Sequence, residues 1–109
     1  MKFFYNEEKR KEMRRILMMQ PTVEEAEALL AKDDTDAYAW YVYGTALSLI
    51  GKNEEGIEAH SHGIAFDPFY AHNYFGRGRR ANTVGRYWQS SADFSMAIQL
   101  ESYNWTYWY

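Results

Sequence analysis

The stretch AYAWYVYG at residues 37–44 decides the fold, because the related stretch AHNYFGRG follows 34 residues later, at residues 71–78. Both stretches begin with alanine, carry an aromatic residue at the fourth position and end in glycine. The same interval separates Gly51 from Gly85, and the aromatic position recurs once more at Trp108. A period of this length is typical of antiparallel helix pairs that stack into a solenoid.

The first repeat predicts two helices with recognisable ends. Asp36 can cap a helix over about residues 37–50, because its side chain can accept from the free amides of the first turn. Gly51 supplies the left-handed residue that ends this helix. Asn53 can cap the second helix, which ends before Pro68 because proline disfavours helical geometry in the preceding residue.

The next repeat has the same layout, with helices predicted at about 69–84 and 87–100 on either side of Gly85. Upstream, a less regular pair is predicted. Its first helix runs from Asn6 to about Met19, and its second opens with a capping box at Thr22 and ends near Ala31.

These elements describe one all-α domain of antiparallel helix-turn-helix repeats in a right-handed solenoid. Its predicted parts are an irregular repeat at 3–36, regular repeats at 37–70 and 71–104, and residues 105–109, which begin a further unit or form an exposed tail. The chain of 109 residues suits a single domain. It contains no cysteine and no long apolar run, which excludes a disulfide framework and fits a cytoplasmic protein.

The pattern resembles the tetratricopeptide repeat, whose signature is W-x2-L-G-x2-Y, then A-x3-F, then P. The residues that carry the resemblance, and are expected to pack the repeats, are Trp40, Gly44, Gly56, Pro68, Tyr74, Gly78 and Phe94. The signature glycine lets the two helices of a repeat approach closely, and the aromatic fills the gap between repeats. Departures occur at Tyr43, His60, Arg77 and Ser102. A guanidinium at Arg77 needs a carboxylate partner or an exit to solvent.

The resemblance implies that the first helix of each repeat lines a concave groove. The groove residues would be Tyr38, Tyr41, Thr45, Ser48, His72, Phe75, Arg79 and Asn82. Because aromatic residues and arginine are the usual anchors of interfaces, we expect a module that binds a partner peptide or helix there. The alternatives are a self-associating segment of a larger scaffold and a secretion-type chaperone.

One subgroup of this family grips chaperone C-terminal carboxylates with lysines, asparagines and arginines along the groove. This sequence offers Arg79 and Asn82, but Tyr41 and Thr45 stand where the preceding repeat should supply lysine and asparagine. The sequence therefore does not predict that specific function.

The sequence gives little support for a metal site, a catalytic site or a nucleic-acid-binding site. His60 and His62 point to different helix faces and His72 is distant, so neither a metal site nor a cofactor is expected. No nucleophile elbow or phosphate loop occurs, so we expect no enzyme. Arginines lie beside aromatic residues at 74–88, a combination that can bind nucleic acid. The isoelectric point near 5.6 means that the chain is acidic overall, so nucleic acid is an unfavourable partner.

The C-terminal residues are unusually aromatic. Tyr103 precedes a group expected to be exposed, which comprises Trp105, Tyr107, Trp108 and Tyr109. Terminal repeats of solenoids normally present a polar outer face. The composition therefore predicts a chain that belongs to a longer protein or that forms homo-oligomers through these side chains.

Overall fold

The computed structural model describes residues 20–108, and the side chains of residues 20–102. This part contains five helices and no strand: α1, Val23–Lys32; α2, Ala37–Leu49; α3, Asn53–Phe66; α4, Ala71–Thr83; and α5, Tyr87–Trp108. Three-residue turns join α2 to α3 and α4 to α5, so each pair runs antiparallel. The predicted all-α helical repeat is confirmed. The helix predicted from Asn6 to Met19 lies outside the described residues.

Two of the three predicted helix caps are confirmed. The hydroxyl of Thr22 accepts from the amide of Glu25 at 3.1 Å, and the carboxylate of Asp36 accepts from the amide of Tyr38 at 3.0 Å. The third prediction is wrong, because Asn53 is the first residue inside α3 and Lys52 occupies the cap without a side-chain bond. Acidic side chains in the first turn of α3 still complement the helix dipole.

The ends of α2 and α4 are near copies of each other. Gly51 and Gly85 both have φ of +86°, in the left-handed region that glycine tolerates best. The amide of Lys52 donates to the carbonyl of Leu47 at 2.9 Å, and that of Gly51 donates to Ser48 at 3.0 Å. These two hydrogen bonds form a Schellman motif, and the equivalent pair of hydrogen bonds follows α4.

The last helix is longer than predicted. It continues to Trp108, whereas the sequence pattern placed its end near Leu100. Ser102 stands where the repeat signature has proline, and residues 101–108 contain neither proline nor glycine. Nothing local therefore stops the helix.

The helices approach most closely at glycines. A Cβ atom built on Gly56 would lie 2.9 Å from the carbonyl oxygen of Gly44, and one built on Gly44 would lie 2.7 Å from the imidazole of His60. At the second crossing, a Cβ on Gly78 would lie 2.9 Å from the ring of Phe94. These positions have no room for a side chain in a close-packed interior.

The rest of the core consists mainly of small residues. The alanines that are at most 2% exposed are Ala26, Ala39, Ala46, Ala59, Ala81 and Ala97. Trp40 is half-buried; its ring stacks on Phe66 with centroids 6.5 Å apart, and its Nε1 donates to the carbonyl of Asp34 at 2.8 Å. Trp40 thus ties its own repeat to the loop that precedes it. Between residues 20 and 108, no helix is long and apolar enough to cross a membrane.

Candidate functional site

Aromatic rings from α2 and the start of α4 form the first part of the predicted groove. The centroid of Tyr41 lies 6.5 Å from that of Tyr38 and 5.5 Å from that of His72. Tyr70 meets Tyr41 edge-on at 6.3 Å. Burial, and next the neighbouring Tyr41, raise the pKa of Tyr70 to about 12, so its phenol remains neutral. Tyr38 is 51% exposed, which leaves much of its ring available for contact.

A cleft of about 750 Å³ opens beside these rings, and we call it the aromatic cleft. Tyr38, Tyr41 and Thr45 line it from α2, while Leu29 of α1 and Pro21 line its other side. Three predicted groove residues therefore share one concavity. Its mixture of aromatic, aliphatic and hydroxyl groups is typical of surfaces that hold side chains of a peptide.

A second cleft, of about 440 Å³, contains three more of the predicted residues, and we call it the basic cleft. Ser48, Arg79 and Asn82 line it. It also includes Arg80, which the sequence analysis did not assign to the groove. Arg80 is half-buried, and its Nε donates to the hydroxyl of Ser48 at 2.7 Å. The eight predicted residues are thus divided between two clefts and the surface beside them.

Phe75 lines neither of these two clefts. Its ring packs against that of Phe94, with centroids 6.1 Å apart. Phe94 in turn borders the basic cleft and lies against Gly78. Phe75 therefore packs α4 against α5, and its role as a groove residue stays a prediction.

The departure at Arg77 has a clear structural explanation. Its guanidinium donates to both carboxylate oxygens of Asp93, each at 2.9 Å, and to the hydroxyl of Ser61 at 3.1 Å. Asp93 is 3% exposed, so this bidentate pair is well shielded from solvent. Arg77 joins α4 to both neighbouring helices. The arginines near residue 80 therefore do not form one continuous basic surface.

His60 lies at the centre of the junction between α2, α3 and α4 and is completely buried. The amide nitrogen of Asn73 donates to the carbonyl of Ala37 at 3.0 Å, which leaves the Oδ1 atom of Asn73 to accept from Nδ1 of His60 at 2.9 Å. The proton of the neutral imidazole therefore resides on Nδ1. Nε2 has no partner, and it faces Gly44 and Gly76.

The surroundings of His60 oppose its protonation. Burial, together with the positive charges of Arg80 and Arg77, lowers its pKa to about 4, although the bond to Asn73 acts in the opposite direction. The sequence identified His60 as a departure from the repeat signature but gave no indication of Asn73 as its partner. Across residues 20–102, no group of histidines and carboxylates has the arrangement of a metal site.

The side chains of Trp105, Tyr107, Trp108 and Tyr109 lie outside the described part, so association through them stays a prediction. We expect the full chain to form concentration-dependent dimers or larger species, and a chain ending at Ser102 to remain monomeric. Burying each large aromatic contributes about 1.5–3 kcal/mol, which makes several exposed ones a strong drive to associate. Sedimentation of both chains measures this, and a strictly monomeric full chain would contradict the prediction.

The chain resembles one group of known structures. No protein-family profile matches the sequence, and no curated protein matches it. Among solved structures, the second tetratricopeptide-repeat domain of Spaghetti (RPAP3), bound to the HSP90 peptide SRMEEVD, is similar. It superimposes with a TM-score of 0.67 and 23% sequence identity, and the match covers 72% of each chain. At this level of identity the likeness concerns the fold. The chain therefore has the tetratricopeptide-repeat fold.

Proposed function

We propose that this chain is a protein-interaction module without catalytic activity, and that it holds a peptide or helical segment of a partner protein against the two clefts. The observation that carries the proposal is that α2 borders two concavities, with Thr45 in the lining of one and Ser48, one turn further along the helix, in the lining of the other. One is lined by aromatic side chains and the other by arginines.

The chemistry of the two clefts supports this proposal. Tyr38 and Tyr41 are rigid, amphipathic side chains that lose little conformational entropy on binding. Arg79 is exposed at the other cleft and can form charge-assisted hydrogen bonds. The structural neighbour with the same fold has a peptide bound. A cytoplasmic location agrees with this proposal and remains a prediction.

The proposal is tested with a peptide selected from a random 12-residue phage library against the intact chain. We expect Tyr38→Ala and Arg79→Glu each to weaken its binding by roughly tenfold or more, because anchors at interfaces contribute upwards of about 1 kcal/mol each. Fluorescence anisotropy with the labelled peptide measures the dissociation constants.

Two matched variants serve as controls. Tyr87→Ala removes another exposed tyrosine, which is 67% exposed at the start of α5 and lines neither cleft. Lys32→Glu reverses an exposed charge at the end of α1. Both should bind the peptide as the native chain does. The groove assignment fails if the selection enriches no peptide, or if all four variants bind it equally well.

A further inference from the structure

The arginines of α4 and the following turn differ in their electrostatic partners. Arg77 is paired with Asp93, and Arg86 with Glu54 at 2.7 Å. Within residues 20–102, neither Arg79 nor Arg80 has a carboxylate within salt-bridge distance. The basic cleft thus contains two adjacent positive charges that the described chain does not neutralise.

Arg80 is the more unusual of the two, because it is partly removed from water without a compensating charge. The side chain packs between helices, with its Cγ atom 3.6 Å from the position a Cβ on Gly56 would take. Its guanidinium donates a hydrogen bond to the hydroxyl of Ser48, but this hydroxyl is neutral and does not compensate the positive charge. Removing an ion from water is unfavourable unless an opposite charge offsets the lost hydration. Burial, and next the neighbouring Arg79, hold the pKa of Arg80 below its usual value.

The beginning of α3 borders the same cleft. Asn53, its first residue, lines the basic cleft, and the cap residue Lys52 provides no side-chain acceptor for the amides of the first turn. Helix N-termini carry a partial positive charge and favour anions. The two glutamates of this turn offset part of that charge, but both are exposed to solvent and Glu54 is paired with Arg86, so the arginines of α4 dominate the cleft.

We propose that the basic cleft binds a side-chain carboxylate, from an aspartate or glutamate of the segment held in the groove, and that Arg80 is its principal anchor. This inference rests on the function proposed above and specifies the chemistry of the partner segment. The guanidinium of Arg80 is held in place by Ser48 and by helix packing, so little entropy is lost when a carboxylate binds. Arg79 supplies a second cation, and Leu49 and Phe94 provide apolar walls for the stem of the acidic residue.

The experiment is an NMR titration of the full chain with N-acetylglutamate α-amide, which carries one side-chain carboxylate. We expect saturable shifts of the Arg80 Nε–Hε signal and of the Asn53 and Asn82 amides. The neutral counterpart, N-acetylglutamine amide, should cause none. Arg80→Gln should weaken the binding monitored at Asn53 by about tenfold or more, since a charge-assisted bond contributes roughly 1.5–3 kcal/mol.

Further variants make the result specific. Arg79→Gln alters an exposed residue and should weaken binding several-fold with the fold intact, which keeps the test valid if Arg80→Gln unfolds the chain. Lys32→Gln removes a positive charge at the end of α1 and should bind the ligand as the native chain does. Inorganic phosphate is titrated separately, because arginine also binds phosphate.

Several outcomes would overturn the inference. These are shifts that do not saturate, equal shifts with the glutamine derivative, unchanged affinity in both arginine variants, or saturation by phosphate alone. Failure of the peptide selection together with saturable binding of the glutamate derivative would instead overturn the groove proposal and leave a carboxylate site in the basic cleft. The two proposals therefore fail separately.

Discussion

Replacement of Gly44 by leucine is expected to destabilise the chain by several kcal/mol. The first added atom, Cβ, would already lie 2.7 Å from the imidazole of His60, and three further carbons must fit in the same junction. Overpacking in a core typically costs about 1–3 kcal/mol where neighbours can adjust. Here α2 and α3 are already in close contact, because even a Cβ atom built on Gly56 would lie 2.9 Å from the carbonyl oxygen of Gly44. Thermal unfolding followed by circular dichroism should show a fall of roughly 15 °C or more.

A double-mutant cycle locates the cause of this destabilisation. Gly44→Ala alone should also lower the stability, and its effect should become smaller when His60 is first replaced by alanine, because the smaller residue leaves room for the added methyl group. Ala28→Leu, at an exposed position of α1, is the control and should change the melting temperature little. A Gly44→Leu chain that melts within a degree or two of the native chain would contradict the helix register.

Features determined by neighbouring residues were predictable from the sequence. The caps at Asp36 and Thr22 and the stops at Gly51 and Gly85 each depend on a few adjacent residues, and the structure contains all of them. Asn53 has the side-chain acceptor of a good cap, yet α3 begins one residue earlier than such a cap would place it, with Lys52 at the cap position. Helix ends are defined only to within one or two residues, so a favourable capping residue alone does not fix the first residue of a helix.

Contacts between helices were harder to predict, although the sequence contains a signal for them. Within each repeat the antiparallel helices place residue i against residue i+16, as Gly44 meets His60 and Gly78 meets Phe94. The same offset pairs Arg77 with Asp93. The sequence predicted either a carboxylate partner or an exit to solvent for Arg77, and applying this offset would have identified the carboxylate as that of Asp93. The offset follows from helix length and turn length, which were known only to within a few residues.

The residues of the candidate site were predictable only in part. A 34-residue period identifies which positions occupy equivalent places on the first helices, and so it indicated Ser48 and Asn82. It does not indicate how far a long side chain reaches. Arg80 lines the cleft because its flexible stem crosses between α2 and α4 to reach Ser48. Asn73 was missed for a related reason, because its equivalent one repeat earlier is Ala39, which makes no hydrogen bond through its side chain.

The stability of the folded chain is expected to fall by about 3 kcal/mol between pH 6.5 and pH 4 through His60 alone. The folded-state pKa is about 4, whereas the unfolded value is near 6.5. Between these values the unfolded chain binds a proton that the native chain does not, so acidification favours unfolding. Each pKa unit corresponds to about 1.4 kcal/mol, and the contribution is fully present above pH 6.5. Protonation would place a third positive charge beside Arg77 and Arg80, in a site where Nε2 has no acceptor.

Urea unfolding at a series of pH values measures this effect, and variants assign it to His60. His60→Gln removes the titrating group but keeps a donor for Asn73, so this variant should be less stable at pH 7 and show a much flatter dependence between pH 6.5 and 4. A variant in which His62 and His72 are both replaced by glutamine should keep the native slope, because both residues are exposed. Equal slopes in the native chain and in His60→Gln would mean that other groups control acid unfolding. The flattening is expected because a buried imidazole with one neutral partner can be accommodated only in its uncharged form.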